Sequence, residues 1–561
     1  MCRYGLQMNT DRDDVSENVF WNRISPSIFI CNPYLPTLAP WLFFQYSPLV
    51  MIDSQPKFHL ITYGCQMNKN DSERMEALLH GLGFASTDVP AEADLILINT
   101  CSVRQQAEDR VFGKVHEFEA LKETNPKLIL GITGCMAGRD RDGVIRKKIP
   151  SVDLYFPTAD MGQLPRWIGE LRPELVNSTD LVEDYLKINP ERRSVRQAFV
   201  SIQTGCNKFC TYCVVPFARG LEKNRPVKDI LDEVRDLAAH GCIEVTLLGQ
   251  TVNSYLAPDA ENFSEGNPYI VSSRPTEGGG EILSGTREIP RLVDDLPAGR
   301  QGSSLGMTQK KRENHFAALL WEVNQISEIK RLHFTAPHPL HMTDEVIDAM
   351  TLPAHVNFIH LPVQAGDNEV LRRMNRRYTI EQFHEVVSRL HAKIPNLAIG
   401  TDIIVGFSGE SPEQFQKTVD MYRDIKFDIG YNARYSERSG TAAKRAFKDD
   451  VTQEEKKRRW NELQAVMEEV VREKNQQYVG QVVSVLVERH EAPKITDEML
   501  AMPEKIQEVL AAQPGMCFGN SREMKLVTFV GGKELVGEIV NVKIKKAETW
   551  ILDGEILKSK N

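Results

Sequence analysis

The 561-residue sequence predicts an α/β protein in three parts: an N-terminal parallel α/β domain, a partial (βα)6 barrel and a small C-terminal β-barrel. Three observations predict it. Between Lys57 and Pro157 short apolar runs alternate with amphipathic stretches, the rhythm of a parallel sheet flanked by helices. From Ala198 to Ser436 the rhythm resumes and yields six βα-type units. Beyond residue 478, short strand-like runs separated by glycine turns suggest a small closed sheet. The composition, 41% hydrophobic and 26% charged with 36 glycines, excludes a disordered chain, a collagen-like repeat and a coiled-coil rod. At about 150 residues per domain, the length alone suggests three or four domains.

Residues 1–55 read as a poorly structured extension. Ile28–Ile52 is apolar, but Pro33, Pro36, Pro40 and Pro48 interrupt it, and a spanning helix needs about 20 predominantly apolar residues. Acidic Asp11, Asp13, Asp14 and Glu17 stand where a secretory signal would be basic. Met51 is an alternative start just before the first good strand, so translation of the extension stays open. No membrane association is expected. Ten cysteines are too sparse for a secreted disulfide scaffold, which points to a reducing compartment, the cytoplasm.

The first domain is expected over 56–175, with strands at 58–64, 94–100, 127–134 and 153–157. The first three runs end immediately before Cys65, Cys101 and Cys135. Parallel strands place their C-terminal ends on one edge, where open α/β sheets bind ligands. Each cysteine alone reads as a small buried apolar residue. Three at equivalent topological positions favour an iron–sulfur cluster with one iron left without a protein ligand. A zinc site would more often show a fourth Cys or a His at short spacing, and none is obvious.

The second domain is expected over 190–476. A strand, AFVSIQT, runs into a loop holding Cys206, Cys210 and Cys213. Three thiolates at this spacing grip three irons of a four-iron cluster and leave the fourth open to the amine and carboxylate of S-adenosylmethionine. The spacing is the signature of the radical S-adenosylmethionine superfamily. Further strands are expected at 244–250, 331–337, 358–364, 398–407 and 429–436, with helices at 227–240, 316–328, 379–392 and 411–424. Strand-end Gln250, Asn253, Gln364 and Asp402 are candidate contacts to S-adenosylmethionine or substrate, or simply polar loop caps. His338 is a substrate contact or a structural residue. Residues 257–314, rich in Gly, Ser and Pro, read as a surface insertion.

A charged helix over 452–476 leads to the third domain, 478–557, with strand-like runs at 481–488, 525–531 and 535–557 and a helix-like insertion at 491–516. The net charge of −9 argues against a protein that coats nucleic acid, yet leaves local basic patches open. Lys543, Lys545 and Lys546 are candidate phosphate contacts, or lysines protecting a strand edge. Arg372, Arg373, Arg376 and Arg377 form a second candidate RNA patch, or a solvated helix face. Cys2, Cys31, Cys242 and Cys517 have no partner at ligand spacing and read as incidental thiols.

These motifs, TYGCQMNKNDSERM (62–75), NTCSVRQQAEDR (99–110), GCMAGR (134–139), GCNKFCTYCVVPFARG (205–220), LLGQTVNSY (247–255), HLPVQAGDNEVLRRMNRRYT (360–379), TDIIVGFSGE (401–410) and YSERSGTAA (435–443), resemble the methylthiotransferase family. The NTCSVR and CNKFCTYCVVPFARG wording is similar to its tRNA-acting branch. The resemblance implies a methylthiotransferase N-terminal domain, a radical S-adenosylmethionine domain and a C-terminal RNA-binding domain of the TRAM kind. It implies two 4Fe–4S clusters: a radical-generating one on Cys206, Cys210 and Cys213, and an auxiliary one on Cys65, Cys101 and Cys135. The family mechanism that the resemblance implies has one S-adenosylmethionine methylate a sulfur of the auxiliary cluster, and a second yield a deoxyadenosyl radical that takes hydrogen from C2 of N6-isopentenyladenosine, beside the anticodon at tRNA position 37. A radical is required because an unactivated aromatic C–H offers polar catalysis neither acid nor leaving group. The implied partners are the tRNA anticodon stem-loop and a reductant such as flavodoxin or ferredoxin, with the enzyme a monomer. Alternatives are another methylthiolated target, threonylcarbamoyl-adenosine or a ribosomal protein, and an iron–sulfur RNA-binding protein disabled by its insertions. The insertions depart from the family pattern.

Overall fold

The computed structural model describes residues 55–102, 105–177, 180–192, 194–270, 313–493 and 514–557. The expected extension, apart from its last residue, therefore lies outside the described residues. The N-terminal domain holds β1 (Lys57–Tyr63), β2 (Ala85–Ser86), β3 (Leu95–Thr100), β4 (Ile129–Gly134) and β5 (Leu154–Phe156). They form one parallel sheet, ordered β2-β1-β3-β4-β5. The runs of β3 and β4 are buried throughout because helices cover both faces. Leu95 and Leu97 face α1 (Gln66–Gly81) and α4 (Leu164–Leu171), whereas Ile96 and Ile98 face α2 (Gln105–Thr124). Short α3 (Cys135–Arg139) follows β4 directly.

The central domain splits its expected first strand. β6 (Gln197–Ser201) joins the barrel, while β7 (Gln203–Thr204) pairs antiparallel with β8 (Lys223–Asn224) and pinches the base of the cysteine loop. Then come α5 (Val215–Ala218), α6 (Val227–Ala239), β9 (Glu244–Leu248), α7 (His315–Asn324), β10 (Arg331–Phe334), α8 (Asp344–Ala349), β11 (Phe358–His360), α9 (Asn368–Arg373), α10 (Ile380–Lys393), β12 (Ala398–Val405), α11 (Pro412–Ile425), β13 (Ile429–Arg434), α12 (Ala442–Ala446) and α13 (Gln453–Gln476). Two parallel triplets, β6-β9-β10 and β11-β12-β13, meet through a Leu332–His355 bridge, giving six strands around one core. The 257–314 segment is not surface throughout. Ala257, Phe263 and Asn267 are buried, and the Asn267 amide donates to the Ala318 carbonyl and Glu322. Residues 271–312 lie outside the described residues.

The third domain is a closed barrel of β14 (Val482–Glu491), β15 (Gly515–Ser521), β16 (Leu526–Gly531), β17 (Ile539–Ala547) and β18 (Leu552–Ile556), ordered β14-β15-β16-β18-β17. Two readings are corrected. The long run at 535–557 is two strands, because the turn after Ala547 folds β18 back on β17. The 491–516 segment is not wholly an insertion, since Glu491 and Met516 pair across β14 and β15. Its helix-like centre, 494–513, lies outside the described residues. Among the described residues, no helix is long and apolar enough to cross a membrane.

The small barrel docks on the edge where the central strands begin. Buried Arg331, opening β10, pairs with Glu244, opening β9, at 2.9 Å and donates to the Asn520 and Ser521 carbonyls. Lys525 and Lys474 close on buried Asp428, just before β13, at 3.1 and 2.6 Å.

Candidate metal centres

The first centre is built by strand register. Tyr63 lies opposite Thr100, and Thr100 opposite Gly134. Cys65, Cys101 and Cys135 follow these residues by two, one and one positions, so the thiols emerge along one edge. Gly134 (φ +99°) permits the close packing, since a Cβ there would stand 2.4 Å from the Thr100 carbonyl. The Cys65 and Cys101 thiols are hydrogen-bonded, which holds Cys65 well below the ordinary thiol range despite burial. Burial pushes Cys135 up, opposed by Arg219.

Asn68, Asn70, Asp71 and Ser72 of α1 are buried. The Asn68 amide donates to Asn99 Oδ1 at 3.0 Å, and Asn99 returns to the Asn68 carbonyl and Ser72. Asn70 joins Ser201 of β6 at 2.7 Å. α1 thus fixes Cys65 at its N-terminus and ties the first domain to the strand that leads to the second thiol set.

In the second centre, backbone N–H groups of Lys208 and Val215 point at the Cys206 and Cys213 sulfurs at 3.5 Å. Thr251 Oγ1 lies 3.2 Å from Cys206 Sγ, and Arg376 Nη1 3.5 Å from Cys210 Sγ. Asn375, at φ +57°, holds the loop through the Lys208 and Phe209 carbonyls. Burial pushes the Cys206 and Cys213 thiols up, and their neighbouring cysteines push further.

Both thiol sets fit iron–sulfur clusters. Burial holds Cys135, Cys206 and Cys213 toward the thiol, which a bound cation would reverse, and N–H donors aimed at sulfur are what a cluster's thiolates demand. Among the described residues, no group of three or more His, Cys, Asp or Glu is tight enough for a single metal ion. A cluster differs, because each of its cysteines binds a separate iron.

The other candidates divide. Gln250 is half-buried after β9. Asn253 is occupied structurally: its amide donates to the His338 carbonyl and its oxygen accepts from His338 N–H. Burial, then Arg376, lowers the His338 imidazole to about 2, so the ring is neutral, and its Nδ1 caps Leu340 N–H. Gln364 is buried at φ +77°, a conformation that costs a non-glycine residue energy and gathers at functional sites. Asp402 lies 3.2 Å from the buried His360 ring. The arginine run is not one solvated face. Arg372 pairs with Glu369 in solvent and Arg377 is exposed, but Arg373 donates to the Ser408 carbonyl and Arg376 is buried on Cys210. Lys543, Lys545 and Lys546 are exposed, the last two paired with Glu555 and Glu548.

Sequence reasoning missed Arg219, Asp71, Thr251 and Glu108. Glu108 takes a bidentate pair from Arg139 (2.8 Å) and a contact from Arg438 (3.4 Å), stitching α2 to the loop after β13. The charges of 99–110 and 435–443 were visible, but their meeting was not.

Residues 57–157 match the model of Uncharacterized protein family UPF0004, residues 200–422 the Radical SAM superfamily and residues 505–557 the TRAM domain. Among solved structures, the radical S-adenosylmethionine methyltransferase TsrM from Kitasatospora setae aligns over 77% of each chain at 12% identity and a TM-score of 0.46, too loose a likeness to carry a functional statement. The tRNA-2-methylthio-N(6)-dimethylallyladenosine synthase of Geobacillus kaustophilus is 38% identical over 512 residues, covering 89% of this chain and 82% of that protein. Its Bacillus subtilis counterpart is 37% identical over 510 residues, covering 89% and 86%. With this extent of likeness added to two three-thiol centres, the chain belongs to the tRNA-2-methylthio-N(6)-dimethylallyladenosine synthase family.

Proposed function

We infer that this chain is a radical S-adenosylmethionine enzyme that places a methylthio group on C2 of N6-isopentenyladenosine at position 37 of tRNA. The observation that carries the reading is the pairing of two separate thiol sets across one buried seam, Asn70 to Ser201 and Asp71 to Arg219. Cys206, Cys210 and Cys213 would hold one cluster, and Cys65, Cys101 and Cys135 the other. When bound, the clusters and S-adenosylmethionine supply radical chemistry and a sulfur source. The protein's own contribution is placement. Backbone N–H groups and Arg376 hold the thiolates of the cysteine loop, while buried Gln364, beyond β11, and Asp402, within β12, are the contacts assigned to S-adenosylmethionine or substrate. The tRNA would meet the small barrel through Lys543, Lys545 and Lys546. A flavodoxin- or ferredoxin-like reductant, a monomeric state and a cytoplasmic setting complete the reading.

Expression in cells that isopentenylate tRNA but lack their own adenosine methylthiotransferase tests it, read by nucleoside mass analysis. The methylthiolated isopentenyladenosine is expected with this chain and absent with Cys101→Ala or Cys210→Ala. Unchanged isopentenyladenosine, with iron and S-adenosylmethionine cleavage intact, would overturn the substrate. Run against salt in purified form, the same reaction should give Lys543→Ala a shallower salt dependence if that lysine meets phosphate; an unaltered slope removes it from the surface.

A further inference from the structure

We propose that Arg219 is a positioning residue for the auxiliary centre, a fixed positive charge that sets how readily the group held by Cys65, Cys101 and Cys135 accepts an electron. The inference rests on those cysteines holding a cluster.

Arg219 belongs to the central domain, just beyond α5, but its side chain is spent in the N-terminal one. Its Nε donates to Cys135 Sγ at 3.3 Å, and its Nη2 to Asp71 Oδ2 at 2.6 Å. The side chains of the pair are 2% and 1% exposed. Nη1 is buried with no hydrogen-bond partner among the described residues, so the guanidinium is not consumed by structural contacts. Arg376, its counterpart at Cys210, also serves Tyr378 and the Pro362 carbonyl. The backbone enforces the placement of Arg219. A Cβ on Gly138 would stand 2.2 Å from the Ala218 carbonyl, so α3, which opens with Cys135, lies against the residue before Arg219.

The chemistry follows from charge. A cluster held by three thiolates gains a further negative charge on one-electron reduction. Hydrogen bonds to ligand sulfur, nearby net charge and solvent exposure set the cost of that step. Buried as Arg219 and Asp71 are, a cation touching one ligand sulfur stabilises the reduced form, and the carboxylate paired with that cation tempers the effect. Arg219 and Asp71 therefore act in opposite directions on one electron.

The test is a redox titration of the auxiliary cluster by electron paramagnetic resonance. It uses full-length chain with Cys206, Cys210 and Cys213 changed to alanine, so that one cluster is observed. Arg219→Gln should shift the reduction equilibrium at least tenfold against reduction, about 59 mV for a one-electron couple. Asp71→Asn, which keeps a hydrogen-bond partner for Arg219 and is the gentler change for folding, should shift it the other way. A merely structural role would move both variants in the same direction, through water entry. Opposite shifts support the proposal. Parallel shifts, or a potential that ignores both residues, overturn it while leaving the family reading intact. No cluster in the parent protein would overturn that reading, and the proposal with it.

Discussion

Glu108 is a single carboxylate facing two buried arginines, with Ser102 donating to it as well. Its side chain is 5% exposed and those of Arg139 and Arg438 are 6% and 7%. A buried ion pair adds little net stability against an apolar replacement, but removing one member leaves charge uncompensated and costs about 3–5 kcal/mol. Glu108→Ala is therefore expected to lower unfolding free energy by that amount in chemical denaturation. Because Ser102 adjoins Cys101, iron retention should fall with it. A loss below about 1 kcal/mol would mean water reaches these arginines and that the seam is looser than the burial implies.

At the scale of elements, the reactive loops are held by short pieces with weak sequence signals. α3 has five residues and α5 four, yet their contact through Gly138 delivers Cys135 and Arg219 to one place. Gly138→Ala forces α3 and α5 apart and is expected to cost about 1–3 kcal/mol, as overpacking does. In a thermal melt this would appear as a lower midpoint, with loss of auxiliary-cluster iron before loss of secondary structure. An unchanged midpoint with full iron would show that the contact yields freely. The β7–β8 clasp and the Met374–Asn375 turn similarly hold the second loop from both sides, since Thr211 N–H donates to the Met374 carbonyl at 3.0 Å.

Across the whole molecule, the thiol centres and the small barrel occupy opposite edges of the central strands. At about 3.3 Å per residue, strands of three to eight residues separate the edges by about 10–26 Å, a span a folded RNA stem-loop crosses and a free nucleoside does not. The barrel's attachment includes a buried ion pair, Lys525 on Asp428, that is expected to respond to acid. Burial alone would raise Asp428, but Lys525 and Lys474 outweigh it and hold the carboxyl below its ordinary value. A carboxylate depressed on folding stabilises the docked state fully above the unfolded value near 3.9, and that contribution is lost as pH falls through the folded value. Limited proteolysis across pH should therefore show the barrel becoming susceptible below about pH 4. Asp428→Asn should flatten that dependence and weaken docking at neutral pH. A profile identical to that of the unsubstituted chain would place the acid-sensitive step elsewhere.

The order of strands and helices in the first two domains, and the six thiols, were legible in the sequence because they rest on local information: strand-length apolar runs, helical periodicity, and cysteines at strand ends or at loop spacing. The same local reading merged β17 with β18, since a turn between two apolar strands carries only a slight break in pattern. It also missed β15, placing Gly515 and Met516 in the 491–516 insertion, because the strand's small and polar residues look like a strand only beside β14 and β16. Polar residues misled most. Asn68, Asn70, Asp71 and Ser72 were not singled out at all, and Arg373 and Arg376 read as part of a candidate RNA patch or a solvated helix face. Whether a polar side chain meets water or a buried partner is decided by chains distant in sequence, and here by another domain. The sequence by itself picked out the six thiols. Only the tertiary structure decided which charges surround them, because a buried polar group needs a partner and the partner is chosen by packing.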